Sequence, residues 1–174
     1  MVALELQVDL AEEIRQLAAG MTFKNTAGGY AELNVFEQNL PMRQIKKVEP
    51  TEEDAELDED DEDEELQENF PYIIVRLDSG KSESAEAAHV IKTVLIAGIF
   101  DDSLKADGHK TILNLFEKIR ERFRKNPVLK DRYEAGDEMT WALPDEDEET
   151  FPYFFGAMYM EWITAEFRRE DPLA

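Results

Sequence analysis

An acidic run near the middle of the chain is the feature that most constrains how the chain can fold. Thirteen carboxylates lie between Glu52 and Glu68, and without them the formal net charge of −22 falls to −9. Like charges at this density repel one another and stay hydrated, so the run cannot enter a hydrophobic core. We therefore predict one domain over residues 1–174, with a disordered acidic insert at about residues 50–69. An insert of this length costs little closure entropy.

Charge and composition argue against several classes of function. The rest of the chain is also acidic, and phosphate backbones are bound through lysine and arginine, so we expect no direct binding to nucleic acid. Cysteine is absent, which excludes disulfides, thiolate ligands and a thiol nucleophile. No stretch reaches the roughly 18 apolar residues that a membrane span needs, and the acidic N-terminus does not resemble a signal peptide. We expect a soluble chain that is made in the cytoplasm and does not bind a membrane.

Two segments have the periodicity of amphipathic helices. Residues 4–17 place leucine and isoleucine at helical spacing, and Gly20 is a natural stop. Asp107 predicts the N-cap of a second helix that runs to about Arg124, where Asn126-Pro127 ends it. The last turns of this second helix carry several cations, which suit the negative end of the helix dipole.

Short apolar segments rich in β-branched and aromatic residues predict strands. They lie at residues 30–36, 70–77, 90–100, 139–143 and 154–167. The segment 90–100 is apolar on both faces, which predicts a central strand that is covered on each side. The segment 154–167 also fits a helix, but its aromatic enrichment favours a strand. A turn is expected at residues 78–81, where the sequence is Asp-Ser-Gly-Lys.

The order of these elements predicts an α+β fold. We expect a mainly antiparallel or mixed sheet of four to five strands, with two helices packed on one face. The tripeptide Phe-Pro-Tyr occurs at residues 70–72 and again at residues 151–153, each time after an acidic run. We interpret the two copies as similar starts of strands.

The sequence offers no recognisable catalytic constellation. His89 and His109 are the only histidines and lie twenty residues apart. The glycine-rich and nucleophile motifs of hydrolases, phosphate loops and dinucleotide folds are missing. The acidic run lacks the glycine-containing pattern of a calcium loop, and its solvated carboxylates are poor candidates for a general acid. We predict no catalytic, cofactor-binding or metal-binding residues, and a chain that is not an enzyme.

Several short stretches resemble small prophage proteins from tail-morphogenesis clusters. They are Asn39-Leu40-Pro41, Phe70-Pro71-Tyr72-Ile73-Ile74-Val75-Arg76-Leu77, Leu113-Asn114-Leu115-Phe116-Glu117-Lys118-Ile119-Arg120, Trp141-Ala142-Leu143-Pro144-Asp145-Glu146 and Trp162-Ile163-Thr164. The resemblance covers most of the chain. It implies a tail terminator, also called a tail-completion or neck protein, of a long-tailed bacteriophage. Such proteins have a compact α/β fold and form a hexameric ring on the tail tube, where the head-side connector attaches, without a cofactor.

The resemblance also implies partners and a location. The partners are further copies of the chain, the tail tube protein and the head–tail connector protein, at the neck of the virion and in the host cytoplasm during assembly. Ring contacts join two different edges of a subunit. The basic end of the second helix is a candidate oligomer interface, made of Arg120, Arg122, Arg124 and Lys125. The alternative is that these cations compensate the dipole of a solvated helix end.

Two other functions remain open at this point. A head–tail connector or adaptor subunit would dock to the portal protein instead of the tail tube. The acidic composition also fits a DNA-mimic inhibitor of a host nuclease or repressor. Such mimics need regularly spaced carboxylates on a rigid structure, whereas the acids here are concentrated in the predicted insert.

Overall fold

The computed structural model describes residues 2–41, 69–84, 87–145 and 150–164. The predicted acidic insert, apart from Asn69, lies outside the described residues. Within the described ranges the chain forms two helices and eight strands.

Both predicted helices are confirmed. Helix α1 spans Val2–Ala18 and helix α2 spans Gly108–Lys125. The apolar stripes of the two helices are buried, with Leu10 and Ile112 both fully enclosed. Asp107 directly precedes α2, but its side chain makes no capping hydrogen bond. Its carboxylate instead lies 2.9 Å from Lys110 Nζ, which lowers the pKa of Asp107 through a hydrogen bond.

The strands form two sheets. Their bounds are β1 Phe23–Lys24, β2 Tyr30–Ala31, β3 Asn34–Glu37, β4 Tyr72–Ser82, β5 His89–Phe100, β6 Val128–Leu129, β7 Tyr133–Ala142 and β8 Tyr153–Thr164. Strands β1 and β2 pair as a small hairpin, which Lys24 ties to the end of β5 by an ion pair of 2.8 Å with Asp101. The main sheet has the order β3-β4-β5-β8-β7-β6. Strand β3 runs parallel to β4, and the other neighbours are antiparallel.

The predicted fold class of a four- to five-stranded sheet is wrong. The main sheet has six strands, is mixed and curls into a half-barrel, and the β1–β2 hairpin is a separate sheet. The predicted strand at residues 30–36 is two strands in different sheets, since the chain leaves the hairpin before Asn34. Strand β6 has two residues, which is too short to give a periodic signal.

The turn predicted at residues 78–81 is also wrong. Strand β4 continues to Ser82, which pairs with His89 at the start of β5. The pairing register shifts between Leu77 and Ser79, so Asp78 is an extra residue in a β-bulge. The turn-like composition of residues 78–81 is compatible with a strand because the β-bulge accommodates the one residue that has no partner in β5.

The ambiguous segment at residues 154–167 contains β8, so the strand alternative is confirmed over the described residues. Side chains of β8 alternate, with Met158 and Trp162 buried and Tyr159 and Ile163 exposed. This period of two is the pattern of a strand with one packed face. Strand β8 occupies the centre of the sheet, between β5 and β7.

Both helices lie on one face of the main sheet. Helix α1 contacts β3 and β4, whereas α2 contacts β5, β7 and β8. The side chains beneath them include Val75, Leu95 and Trp162 and form one continuous core with both helices. Strand β5 lies between β4 and β8, so the predicted central position of residues 90–100 is confirmed. In the described ranges no helix lies on the other face, and the predicted cover on that side stays a prediction.

Candidate docking surfaces

Arg122, which belongs to the predicted basic cluster, connects separate elements of the fold. Its Nε donates to a carboxylate oxygen of Glu13 in α1, and its Nη1 donates to the carbonyl of Asn126 at 2.6 Å. The side chains of Arg122 and Glu13 are 24% and 17% exposed. This arginine therefore links α2 to α1 and to the loop that leads into β6.

The other three cations of the cluster have mixed roles. Arg124 donates to the carbonyl oxygen of Asp137 in β7. Arg120 lies 2.8 Å from Glu117, and Lys125 lies 3.6 Å from Glu121, in ion pairs within α2. Arg120 and Lys125 are 45% and 80% exposed, so both can reach a partner. The assignment of the four residues to an oligomer interface stays a prediction.

Two further ion pairs fasten α1 to the turn between β6 and β7. Lys130 Nζ lies 3.1 Å from Glu12, and Arg132 donates to Glu5. The hydrogen bond from Arg132 lowers the pKa of Glu5, and the hydrogen bond to Glu12 raises the pKa of Lys130. Exposed pairs of this kind contribute little stability singly, but together they fix the orientation of α1.

The face of the sheet opposite the helices is apolar. We call it the open face. Its side chains come from alternate positions of β3, β4, β5 and β8, namely Phe36, Tyr72, Ile74, Val94, Ile96, Phe100, Tyr153, Phe155, Ala157, Tyr159 and Ile163. Tyr159 and Ile163 are 45% and 41% exposed. Tyr72 and Ile74 are buried and the other side chains of this face are partly buried, so its most exposed part lies around Tyr159 and Ile163. Exposed apolar surface of this kind marks docking sites in proteins.

One end of the open face is an aromatic cluster in which the two Phe-Pro-Tyr segments meet. The rings of Phe70 and Tyr153 lie 4.7 Å apart, and the rings of Phe70 and Tyr72 lie 4.9 Å apart. The ring of Tyr72 packs so closely on Gly98 that an added Cβ would overlap it. The close backbone approach at Gly98 is required by this ring, and burial raises the pKa of Tyr72. Both tripeptides directly precede a strand, as predicted.

The other end of the open face is polar. A shallow pocket of about 310 Å³ there is lined by Asp78, Lys92, Glu138, Tyr159 and Glu161, among others. Lys92 Nζ lies 3.1 Å from Glu161 and is largely neutralised by it. This end can therefore accept hydrogen-bonding or cationic side chains of a protein partner, next to the apolar surface of Tyr159.

Each edge of the main sheet is covered over only part of its length. Strand β3 covers β4 as far as Val75, and the side-chain amide of Gln38 extends the ladder by one residue. Gln38 Oε1 accepts from the N–H of Leu77 at 3.0 Å, and its Nε2 donates to the carbonyl of Leu77 at 3.2 Å. No described strand pairs with the outer side of residues 78–82.

The opposite edge of the main sheet, the outer side of β7, is also covered over only part of its length. Strand β6 pairs with Tyr133 and Glu134 of β7, and the N–H of Ala135 donates to the carbonyl of Pro127 at 2.9 Å. Among the described residues none pairs with the outer side of residues 139–142. Trp141, in this stretch, is 52% exposed. Neither open edge was predicted from the sequence, although the uncharged stretch Met-Thr-Trp-Ala at residues 139–142 was a signal.

The histidines lie on different elements. His89 begins β5, and its Nδ1 lies 2.8 Å from the hydroxyl of Ser82, while His109 is in the first turn of α2. The described ranges contain no group of three or more histidine, aspartate or glutamate side chains that could hold a metal ion. Neither described helix is long and apolar enough to span a membrane.

A scan against models of known protein families gives no match for this chain, and a search of curated proteins gives none either.

Proposed function

We propose that this chain is a structural virion-assembly protein, a tail terminator that caps the phage tail tube and joins it to the head-side connector as a hexameric ring. The observation that carries the proposal is the open face. It is an apolar surface, most exposed at Tyr159 and Ile163, on a sheet that two helices back from the other side. A protein whose work is docking needs such a surface on a rigid support.

The resemblance in sequence adds the identity of the partners. Two of the stretches that carry it lie at strand ends, since Phe70-Pro71-Tyr72 leads into β4 and Trp162-Ile163-Thr164 ends β8, and a third lies in α2. On this proposal the chain acts in the neck of the virion, without a cofactor and without direct contact with nucleic acid. Arg120 and Lys125 would face acidic surface on a neighbour and steer assembly.

The proposal is tested with purified chain and tail tubes assembled from the tube protein of the same phage. Negative-stain microscopy is expected to show the chain at one end of the tubes, and light scattering with magnesium is expected to show a hexamer. Magnesium is included because a net charge of −22 per subunit opposes self-association. The terminator proposal would be overturned if the chain binds the portal protein and does not bind the ends of the tail tubes.

A matched pair of variants tests the role of the open face. Tyr159→Glu places a charge on the open face, whereas Tyr30→Glu places one on the β1–β2 hairpin, where Tyr30 is 71% exposed. Both side chains are exposed, so both variants are expected to fold. Tyr159→Glu should lose binding to the tubes and Tyr30→Glu should keep it. If the two variants bind the tubes equally well, the open face is not part of the docking surface.

A further inference from the structure

We propose that copies of this chain join edge to edge, so that residues 78–82 of β4 pair antiparallel with residues 139–142 of β7 in the next copy. The inference rests on the proposed ring and specifies the contact that builds it. The partner is therefore a second copy of the chain, bound through its main-chain N–H and carbonyl groups.

Both edges are open and accessible. Every residue from Asp78 to Ser82 is exposed, and so are Thr140, Trp141 and Ala142. Unpaired N–H and carbonyl groups along an exposed strand are a template for another strand. The two open stretches contain five and four residues, so they differ in length by one residue.

The directions of the two edge strands suit antiparallel pairing between copies. Strands β4, β5, β8 and β7 are successive antiparallel neighbours, so β4 and β7 run in opposite directions. A rotation that keeps strand direction places β7 of one copy beside β4 of the next as an antiparallel pair. The same rotation keeps the helices of all copies on one side of the extended sheet. Contacts between two different edges can repeat until the ring closes.

The side chains of the two open stretches are compatible with pairing. Edges that stay unpaired in native proteins usually carry lysine or proline, but residues 139–142 contain neither and carry no charge. Acidic side chains flank this stretch of β7 at Glu134, Asp137 and Glu138. Residues 78–82 of β4 contain one anion, Asp78, and one cation, Lys81. Neither open stretch therefore carries a net charge, and their pairing brings no net electrostatic repulsion.

Proline substitutions test the main-chain pairing. The N–H of Ala135 points outward to β6, and Trp141 has the same orientation because both pair with even-numbered residues of β8. Trp141→Pro therefore removes an outward donor and spares the ladder to β8, while Trp141→Thr keeps that donor. On β4, Gly80→Pro is compared with Gly80→Ala, since in both a Cβ meets the ring of His89.

The expected result is a weaker self-association for each proline variant than for its matched control. Sedimentation equilibrium should show a dissociation constant raised by roughly tenfold or more, because a hydrogen bond is lost and the ring of proline blocks approach. Proline variants that associate as tightly as Gly80→Ala and Trp141→Thr overturn the inference. Circular dichroism establishes that each variant is folded.

Cross-linking gives a second measurement that does not depend on proline. The chain has no cysteine, so a single introduced thiol is the only one present. Ser79→Cys and Thr140→Cys lie on the two open edges, and a mixture of them should be joined by a short bismaleimide, which tolerates a shift in pairing. Ser79→Cys mixed with Tyr30→Cys is the control. Cross-linking no faster than the control overturns the inference.

The outcomes separate this inference from the proposed function. A chain that caps tail tubes but gives no edge cross-link retains the function and loses the edge contact. A chain that cross-links through its edges but leaves tube ends bare keeps the edge contact and loses the tail role.

Discussion

The buried hydrogen bond between Trp162 and Thr93 gives a quantitative test of the core. Trp162 is fully buried, and its Nε1–H donates to the hydroxyl of Thr93 at 3.0 Å. Thr93→Val keeps the shape of the side chain but leaves the indole N–H without a partner. Leaving a buried donor unsatisfied costs about 1–3 kcal/mol of unfolding free energy. For a chain of this size each kcal/mol lowers the melting temperature by about 2–4 °C.

The origin of that cost can be isolated by a double-mutant cycle. In a Trp162→Phe background no indole N–H exists, so Thr93→Val is expected to cost only what the long hydrogen bond from its hydroxyl to the carbonyl oxygen of Met160, at 3.4 Å, contributes. The coupling free energy should be about 1–2 kcal/mol, within the range for residues in direct contact. Urea unfolding followed by far-UV circular dichroism measures all four proteins. If Thr93→Val costs the same in both backgrounds, the hydrogen bond is not what stabilises this site.

Three further predictions follow from contacts described above. Gly98→Ala forces its Cβ into the ring of Tyr72 and should lower the free energy of unfolding by about 1–3 kcal/mol, measured in urea, whereas Gly20→Ala meets no atom within 4 Å and should not. Burial raises the pKa of Tyr72 above 10.0, so its neutral form stabilises the fold below that pH, and this stability is lost as the pH rises through the raised pKa. As the pH is raised past 10, the free energy of unfolding should therefore fall less steeply for Tyr72→Phe than for wild type. Arg122→Gln breaks the contacts to α1 and to the β6 loop and should cost about 1–3 kcal/mol in thermal or urea unfolding, whereas Lys125→Gln should change stability by less than about 0.5 kcal/mol. Equal effects of the last two variants would contradict the structural role of Arg122.

The helices and the long strands were predictable because their signals are local. Ile112 and Phe116 recur with the helical period in the sequence and are buried in the structure. Strand β6 gives no such signal, since two residues cannot show a period. The parallel pairing of β3 with β4 joins residues 34–37 to residues 72–75, across the acidic insert. A choice between distant partners is decided by tertiary packing, so the size of the sheet was mispredicted.

In the candidate sites, too, local features were predictable from the sequence, whereas features that depend on tertiary packing were not. The charge of the cluster at the end of α2 is visible in the sequence, but the partner of Arg122 is Glu13, at the other end of the chain. Its structural role therefore depends on how α1 and α2 pack. The open edges depend on where β3 and β6 stop pairing, which no single segment encodes.

The central position of β8 has a consequence for synthesis of the protein. Residues 153–164 form the last described strand of the chain, yet they separate β5 from β7 in the sheet. A nascent chain cannot close its core until these residues have left the ribosome, because Phe154, Met158 and Trp162 belong to that core. Folding is thus dominated by contacts between distant residues and should be slow for a domain of this size. During that delay the net charge of −22 keeps unfinished chains apart.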